Sequence, residues 1–102
     1  LKKILKLEYR MEMNIEKLFN IIEKRIKDKK ENSYTNKLIK QGPKKIAEKF
    51  GEESTELLID YLKGSKKRTI EEAADVIYHL LVLLASKKIT IKEINKELSK
   101  RR

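Results

Sequence analysis

An all-α fold is predicted, a small bundle of four to five helices completed by homodimerisation. Three observations lead there. The 102 residues include only 3 Gly and 1 Pro, too few for the tight turns an all-β sandwich needs. Apolar residues recur at helical spacing in segments bounded by cap and stop signals. A chain of this length buries only roughly 60–70% of its unfolded surface. With 39% hydrophobic against 41% charged residues, its core is thin enough to be finished by a second copy.

Residues 1–13 read as a basic N-terminal extension and residues 14–102 as the domain, with Asn14 as the first N-cap. Ile15, Leu18, Phe19, Ile22 and Ile26 then mark an amphipathic helix to about Lys29. Asp28–Thr35 is polar and loop-like, and Thr35–Gln41 is a short helix containing Leu38 and Ile39, stopped by Gly42. Pro43 suits the first turn of a third helix, because its missing N–H has no partner there anyway. That helix should reach Leu62 or Lys63 and stop at Gly64. Ser65 is one candidate cap for the fourth, which ends near Ala85 or Ser86. Thr69, in a capping box with Glu72, is the other. After a turn at Lys87–Ile89, Thr90 and Glu93 form a cleaner capping box that opens a last helix through Leu98. The chain contains no internal repeat.

Composition removes several chemistries. Without Cys there is no thiolate nucleophile, disulfide framework or Cys-ligated zinc site, and one His rules out a His-rich metal site. The longest apolar run, Val76–Ala85, is broken by Tyr78 and His79 and is too short to span a bilayer. With no signal-peptide pattern at the N-terminus, a cytoplasmic protein without membrane association is expected. The net charge of +10 invites a basic helical nucleic-acid-binding module. The distribution argues against it. Pro43–Leu62 carries 5 acids against 3 bases and Glu71–Ser86 carries 3 acids and no Lys or Arg, so the most apolar-periodic segments are acidic islands. No recognition-helix pattern and little aromatic interleaving accompany the charge, and no nucleic-acid partner is expected.

The acids stand where apolar residues belong. In the Pro43 helix the line Ile46, Phe50, Leu57, Tyr61 passes through Glu53, and Glu56 lies roughly 60° away on the same face. In the next helix Glu72 and Asp75 are likewise three apart, and Val76, His79 and Leu83 continue within roughly 40° of Glu72. If the two helices pack antiparallel across Lys63–Lys67, the four carboxylates converge inside the bundle and raise one another's pKa values. Mg²⁺, with Mn²⁺ as a substitute, is the natural neutraliser, since both prefer oxygen ligands and leave positions open for phosphates. A di-iron bundle would need paired Glu-x-x-His motifs, whereas the second pair here is Glu-x-x-Asp and there is a single His. The competing reading is that Glu52, Glu53 and Glu56 make surface ion pairs with Lys49 and other lysines.

Glu52-Glu53-Ser54-Thr55-Glu56 followed by Glu72-Ala73-Ala74-Asp75 resembles the signature of the all-α nucleotide pyrophosphohydrolase superfamily. Asn32-Ser33-Tyr34-Thr35, Lys45-Ile46, Lys49-Phe50-Gly51 and the Glu71–Leu84 stretch containing Tyr78-His79-Leu80-Leu81 are similar to the phosphoribosyl-ATP pyrophosphohydrolase family of histidine biosynthesis. Together they span about residues 14 to 100 in the family's order. The resemblance implies hydrolysis of the α–β phosphoanhydride of phosphoribosyl-ATP to phosphoribosyl-AMP and pyrophosphate, with Mg²⁺. It implies Glu53, Glu56, Glu72 and Asp75 as metal ligands. It also makes Glu52, or one of the ligands such as Glu53, the group that orients or deprotonates the attacking water. A dimer is implied as well, and a free-standing enzyme is expected, because 102 residues leave no room for the cyclohydrolase to which some relatives are fused.

The residues themselves suggest a phosphate side. Lys45 and Lys49 precede Glu53 by eight and four residues on its helical face, placed either to balance a triphosphate or to pair with Glu48, Glu52 or Glu53. Ser33, Tyr34 and Lys37 are candidates for closing the site on phosphate or ribose. His79 is either a hydrogen-bond partner behind the carboxylates or a packed core histidine. A house-cleaning nucleoside triphosphate pyrophosphatase of the same superfamily is the alternative function, since its metal site would look the same.

Overall fold

A computed structural model of the chain describes residues 12–29 and 32–101, which form five helices and no strand. The expected extension, apart from residues 12 and 13, lies outside the described residues. Helix α1 runs Ile15–Lys27, and the Asn14 side chain caps it by accepting from the Lys17 N–H at 2.9 Å. Helix α2 spans Tyr34–Gln41 behind the Ser33 cap. Gly42 follows at φ 94°, ψ 173°, a conformation only glycine adopts readily, and turns the chain directly into Pro43.

Helix α3 (Pro43–Lys63) and helix α4 (Lys66–Ser86) are 21 residues each and form a hairpin across Gly64 and Ser65. Of the two candidate caps for α4, Ser65 is the one used, accepting from the Arg68 N–H at 3.1 Å. The Thr69 hydroxyl faces the carbonyls of Ser65 and Asp60 at 2.9 and 3.1 Å, tying the start of α4 to the end of α3. Gly64 is required for space: a Cβ there would come within 2.6 Å of Asp60 Oδ1 and 2.9 Å of its carbonyl oxygen. Helix α5 (Ile91–Arg101) opens with the expected capping box, Thr90 N–H to Glu93 Oε1 at 2.9 Å and Glu93 N–H to Thr90 Oγ1 at 3.1 Å.

The core is built by α1, α2 and α4. Leu18, Phe19, Ile22, Leu38, Tyr78, Leu81, Val82 and Ala85 are buried, and Ile46 is the one buried residue of α3. The apolar line expected along α3 is therefore shorter than drawn from the sequence. Phe50 and Leu57 are half-buried, whereas Tyr61 is 72% exposed; α3 packs chiefly on its hairpin partner α4 and less on α2. Leu58, Ile59, Tyr61 and Leu62 on the last turns of α3 and Ile70 at the start of α4 are all exposed. No described helix is long and apolar enough to cross a membrane.

Candidate metal centre

The α3–α4 hairpin brings three of the four expected carboxylates together. Glu53 and Glu56, almost one turn apart on α3, face Glu72 on α4, and one oxygen of each lies within 4.8 Å of the others. Glu53 is half-buried, Glu56 exposed and Glu72 buried, so the cluster runs from the hairpin interior to its surface. Asp75, half-buried one turn after Glu72, falls outside that triple, though its charge reaches both Glu53 and Glu72. Burial pushes the Glu53 carboxyl up, with Glu56, Asp75 and Glu72 adding to the rise. Burial also pushes Glu72 up, followed by the Glu56 carboxylate beside it.

Arg68 is the partner that Glu72 does have. Its guanidinium donates to Glu72 Oε1 at 2.7 Å and to Glu71 Oε1 at 3.0 Å, and stands 3.7 Å from Asp60 Oδ2. The other oxygen, Glu72 Oε2, is buried with no hydrogen-bond partner among the described residues. An orphaned carboxylate oxygen beside two further carboxylates is a donor set suited to a hard divalent cation, which would satisfy it and offset the mutual repulsion. Arg68 was not singled out from the sequence. Its local signals were the i, i+3 spacing to Glu71 and the i, i+4 spacing to Glu72.

On the open side of α3, Lys45 pairs with Glu48 at 3.2 Å and Lys49 with Glu52 at 3.4 Å. Both lysines thus adopt the pairing that sequence spacing had left open. Lys49 is also close enough to Tyr34 and Glu53 to feel both, and the hydrogen bond to Glu52 chiefly holds its ammonium above the ordinary lysine value. Glu52 itself is exposed and outside the carboxylate triple.

Helix α2 supplies a second wall. The Tyr34 hydroxyl meets His79 Nε2 at 3.2 Å, and His79 Nδ1 meets the Asp75 carbonyl at 2.8 Å. A carbonyl can only accept, so Nδ1 carries the proton and Nε2 accepts from Tyr34. Burial pushes the imidazole below its ordinary value, which keeps it in this neutral form. His79 is accordingly both packed, at 5% exposure, and bonded to the backbone of Asp75. Burial raises the Tyr34 hydroxyl, which also feels Lys49, Glu53 and Glu52 and so borders the acidic cluster. Ser33 is placed differently. It is buried, caps α2 by accepting from the Asn36 N–H at 3.1 Å, and donates to the Asn36 side chain. Asn36 in turn donates to the carbonyls of Arg25 and Asp28 at 2.8 and 3.0 Å, anchoring α2 to α1. Lys37 is exposed on α2.

Residues 15–102 match the family described as Phosphoribosyl-ATP pyrophosphohydrolase. A phosphoribosyl-ATP pyrophosphatase of Sulfolobus acidocaldarius is 51% identical over 87 residues, covering 85% of this chain and 92% of the relative. One from Cereibacter sphaeroides is 45% identical, covering 85% of this chain and 84% of the relative. The histidine biosynthesis bifunctional protein HisIE of Thermotoga maritima is 44% identical over 85 residues, and there the chain spans 43% of the longer relative. With its Glu53–Glu56–Glu72 cluster on a matched span that runs almost the whole domain, the chain belongs to the phosphoribosyl-ATP pyrophosphohydrolase family.

Proposed function

We propose that the chain hydrolyses the α–β phosphoanhydride of phosphoribosyl-ATP to phosphoribosyl-AMP and pyrophosphate, the second step of histidine biosynthesis, in the cytoplasm and as a homodimer. The observation that carries this is the cluster of Glu53, Glu56 and Glu72 in a chain of this family, with Glu72 buried and its Oε2 without a hydrogen-bond partner among the described residues. Glu53, Glu56 and Glu72 would hold Mg²⁺, or Mn²⁺ in its place, with Asp75 alongside. When bound, the cation supplies charge neutralisation and Lewis-acid polarisation of the phosphoryl oxygens.

The remaining steps belong to the chain's own side chains. Lys49, and Lys45 one turn before it, release their glutamate partners and take phosphate oxygens as point-charge donors. Glu52, freed of Lys49, orients the attacking water and accepts its proton, worth about 10²–10⁴ in rate for a positioned base. Tyr34, held by His79, closes the α2 side toward the ribose or phosphate, and Lys37 approaches from the same helix. Ser33 contributes through the placement of α2. The exposed Leu58, Ile59, Tyr61, Leu62 and Ile70 form an apolar area around the hairpin turn of the kind that marks a subunit interface, which supports the dimer.

Pyrophosphate release with Mg²⁺, compared among phosphoribosyl-ATP, ATP, dCTP, dUTP and ITP, tests the assignment. A strong preference for phosphoribosyl-ATP is expected. Turnover of a free nucleotide instead would keep the carboxylate site and move the protein to nucleotide-pool sanitation.

A further inference from the structure

Arg68 holds Glu72 by one oxygen only. Its guanidinium donates to Oε1 at 2.7 Å, and Oε2 is left buried without a hydrogen-bond partner among the described residues, while one oxygen of Glu72 lies within 4.8 Å of one each from Glu53 and Glu56. The guanidinium is in turn held from two other sides, by Glu71 at 3.0 Å on α4 and by Asp60 at 3.7 Å on α3. A carboxylate held through one oxygen has less freedom to rotate, so its second oxygen favours one direction. We propose that Arg68 is a positioning residue for cation binding: clamped by Asp60 and Glu71, it presents Glu72 Oε2 to the carboxylate cluster. This rests on the reading of Glu53, Glu56 and Glu72 as cation ligands.

The sign of the effect follows from the charges around Arg68. A lone cation beside a divalent site would oppose binding. Here the guanidinium is 56% exposed, hence screened, and two carboxylates other than Glu72 already offset it. Its removal therefore relieves little repulsion, and the main loss is the orientation of Glu72. Lysine in its place keeps the charge but offers a compact ammonium instead of a fork that reaches Glu71 and Glu72 together.

The test is titration of the free protein with Mn²⁺ alone, following the loss of the aqueous Mn²⁺ paramagnetic resonance signal. Circular dichroism establishes that each variant is folded. Arg68→Met is expected to bind Mn²⁺ about 10-fold or more weakly than the parent protein, the usual scale for a group that orients a ligand. Arg68→Lys should lose less. Parent-like or tighter binding by Arg68→Met overturns the proposal. If Arg68→Met fails to fold, Arg68→Lys decides: affinity about threefold or more below the parent supports the fork, and parent affinity overturns it. Glu72→Gln separates this from the underlying site. Undiminished Mn²⁺ binding there would remove Glu72 as a ligand and both readings with it. Lost binding in Glu72→Gln alongside full binding in Arg68→Met would remove only the role of Arg68.

Discussion

Glu53 and Glu52 are neighbours in sequence with different surroundings, and their substitutions should behave differently. Glu53 is half-buried among carboxylates that push it up, so ionising it at neutral pH costs the metal-free fold. Its folded pKa lies above the unfolded one, and stability is lost as pH rises through it. Glu53→Gln should therefore leave the metal-free protein equally or more stable at pH 7 in urea denaturation, while divalent-cation affinity and turnover collapse. Retention of more than about a tenth of kcat, a deficit below roughly 1.4 kcal/mol, would contradict its role as a ligand. Glu52→Gln should spare cation binding and lower kcat by about 10²-fold or more. Tyr78 carries a second expectation. It is fully buried, bonded to the Thr35 hydroxyl at 2.6 Å, and burial pushes its own hydroxyl up to about 12 from 10.0. The stability linked to that proton is fully present below pH 10 and disappears as pH rises through about 12, a range worth roughly 2–3 kcal/mol. Tyr78→Phe should cost about 1–2 kcal/mol at neutral pH by orphaning Thr35. The gap to the parent protein should close above pH 10 in urea titrations at stepped pH.

The helices of this chain end by different devices, and one carries avoidable strain. Helix α4 closes with Ile89 N–H on the Leu84 carbonyl at 3.0 Å and Lys88 N–H on Ala85 at 3.0 Å, a Schellman pair. Lys88 occupies the left-handed position at φ 60°, where glycine is the usual residue. Lys88→Gly is expected to stabilise the protein by about 1 kcal/mol, read as a higher urea midpoint at unchanged slope. The opposite holds at Gly64. There φ is −93°, an ordinary value, and the constraint is the Asp60 side chain and carbonyl against any Cβ. Both positions follow the end of a helix, and only the backbone path separates a dihedral requirement from a steric one.

At the scale of the whole molecule, the core is one-sided. Helices α1, α2 and α4 share it, while α5 buries nothing completely and α3 contributes only Ile46. Leu58 at 61% and Leu62 at 75% exposure lie one turn apart on the side of α3 away from Glu53. If the proposed dimer forms through this face, Leu58→Lys with Leu62→Lys should give a folded monomer by sedimentation under conditions where the parent chain sediments as a dimer. A dimer that persists would place the interface elsewhere.

Much of this was legible in the order of residues. The caps Asn14 and Thr90, Ser65 as one of two candidates, the stops Gly42 and Gly64 and the spacing of Leu18, Phe19 and Ile22 are local properties, each decided within a few residues of chain. Glu53, Glu56 and Glu72 were legible for the same reason, as acids interrupting helical apolar lines. The resemblance of the flanking residues to a known family then named a chemistry for them. What tertiary structure decided was everything that depends on two elements meeting. It put Ser33 into the α1–α2 joint, left Tyr61 in solvent where its helix outruns the core, and set Asp75 apart from the three clustered glutamates. It also laid Arg68 across Asp60, Glu71 and Glu72. Periodicity assigns a side chain to a face, but how far the neighbouring helix extends and where it touches are set by packing. That packing determines whether a charge on the face is solvated, paired or left with one oxygen unsatisfied.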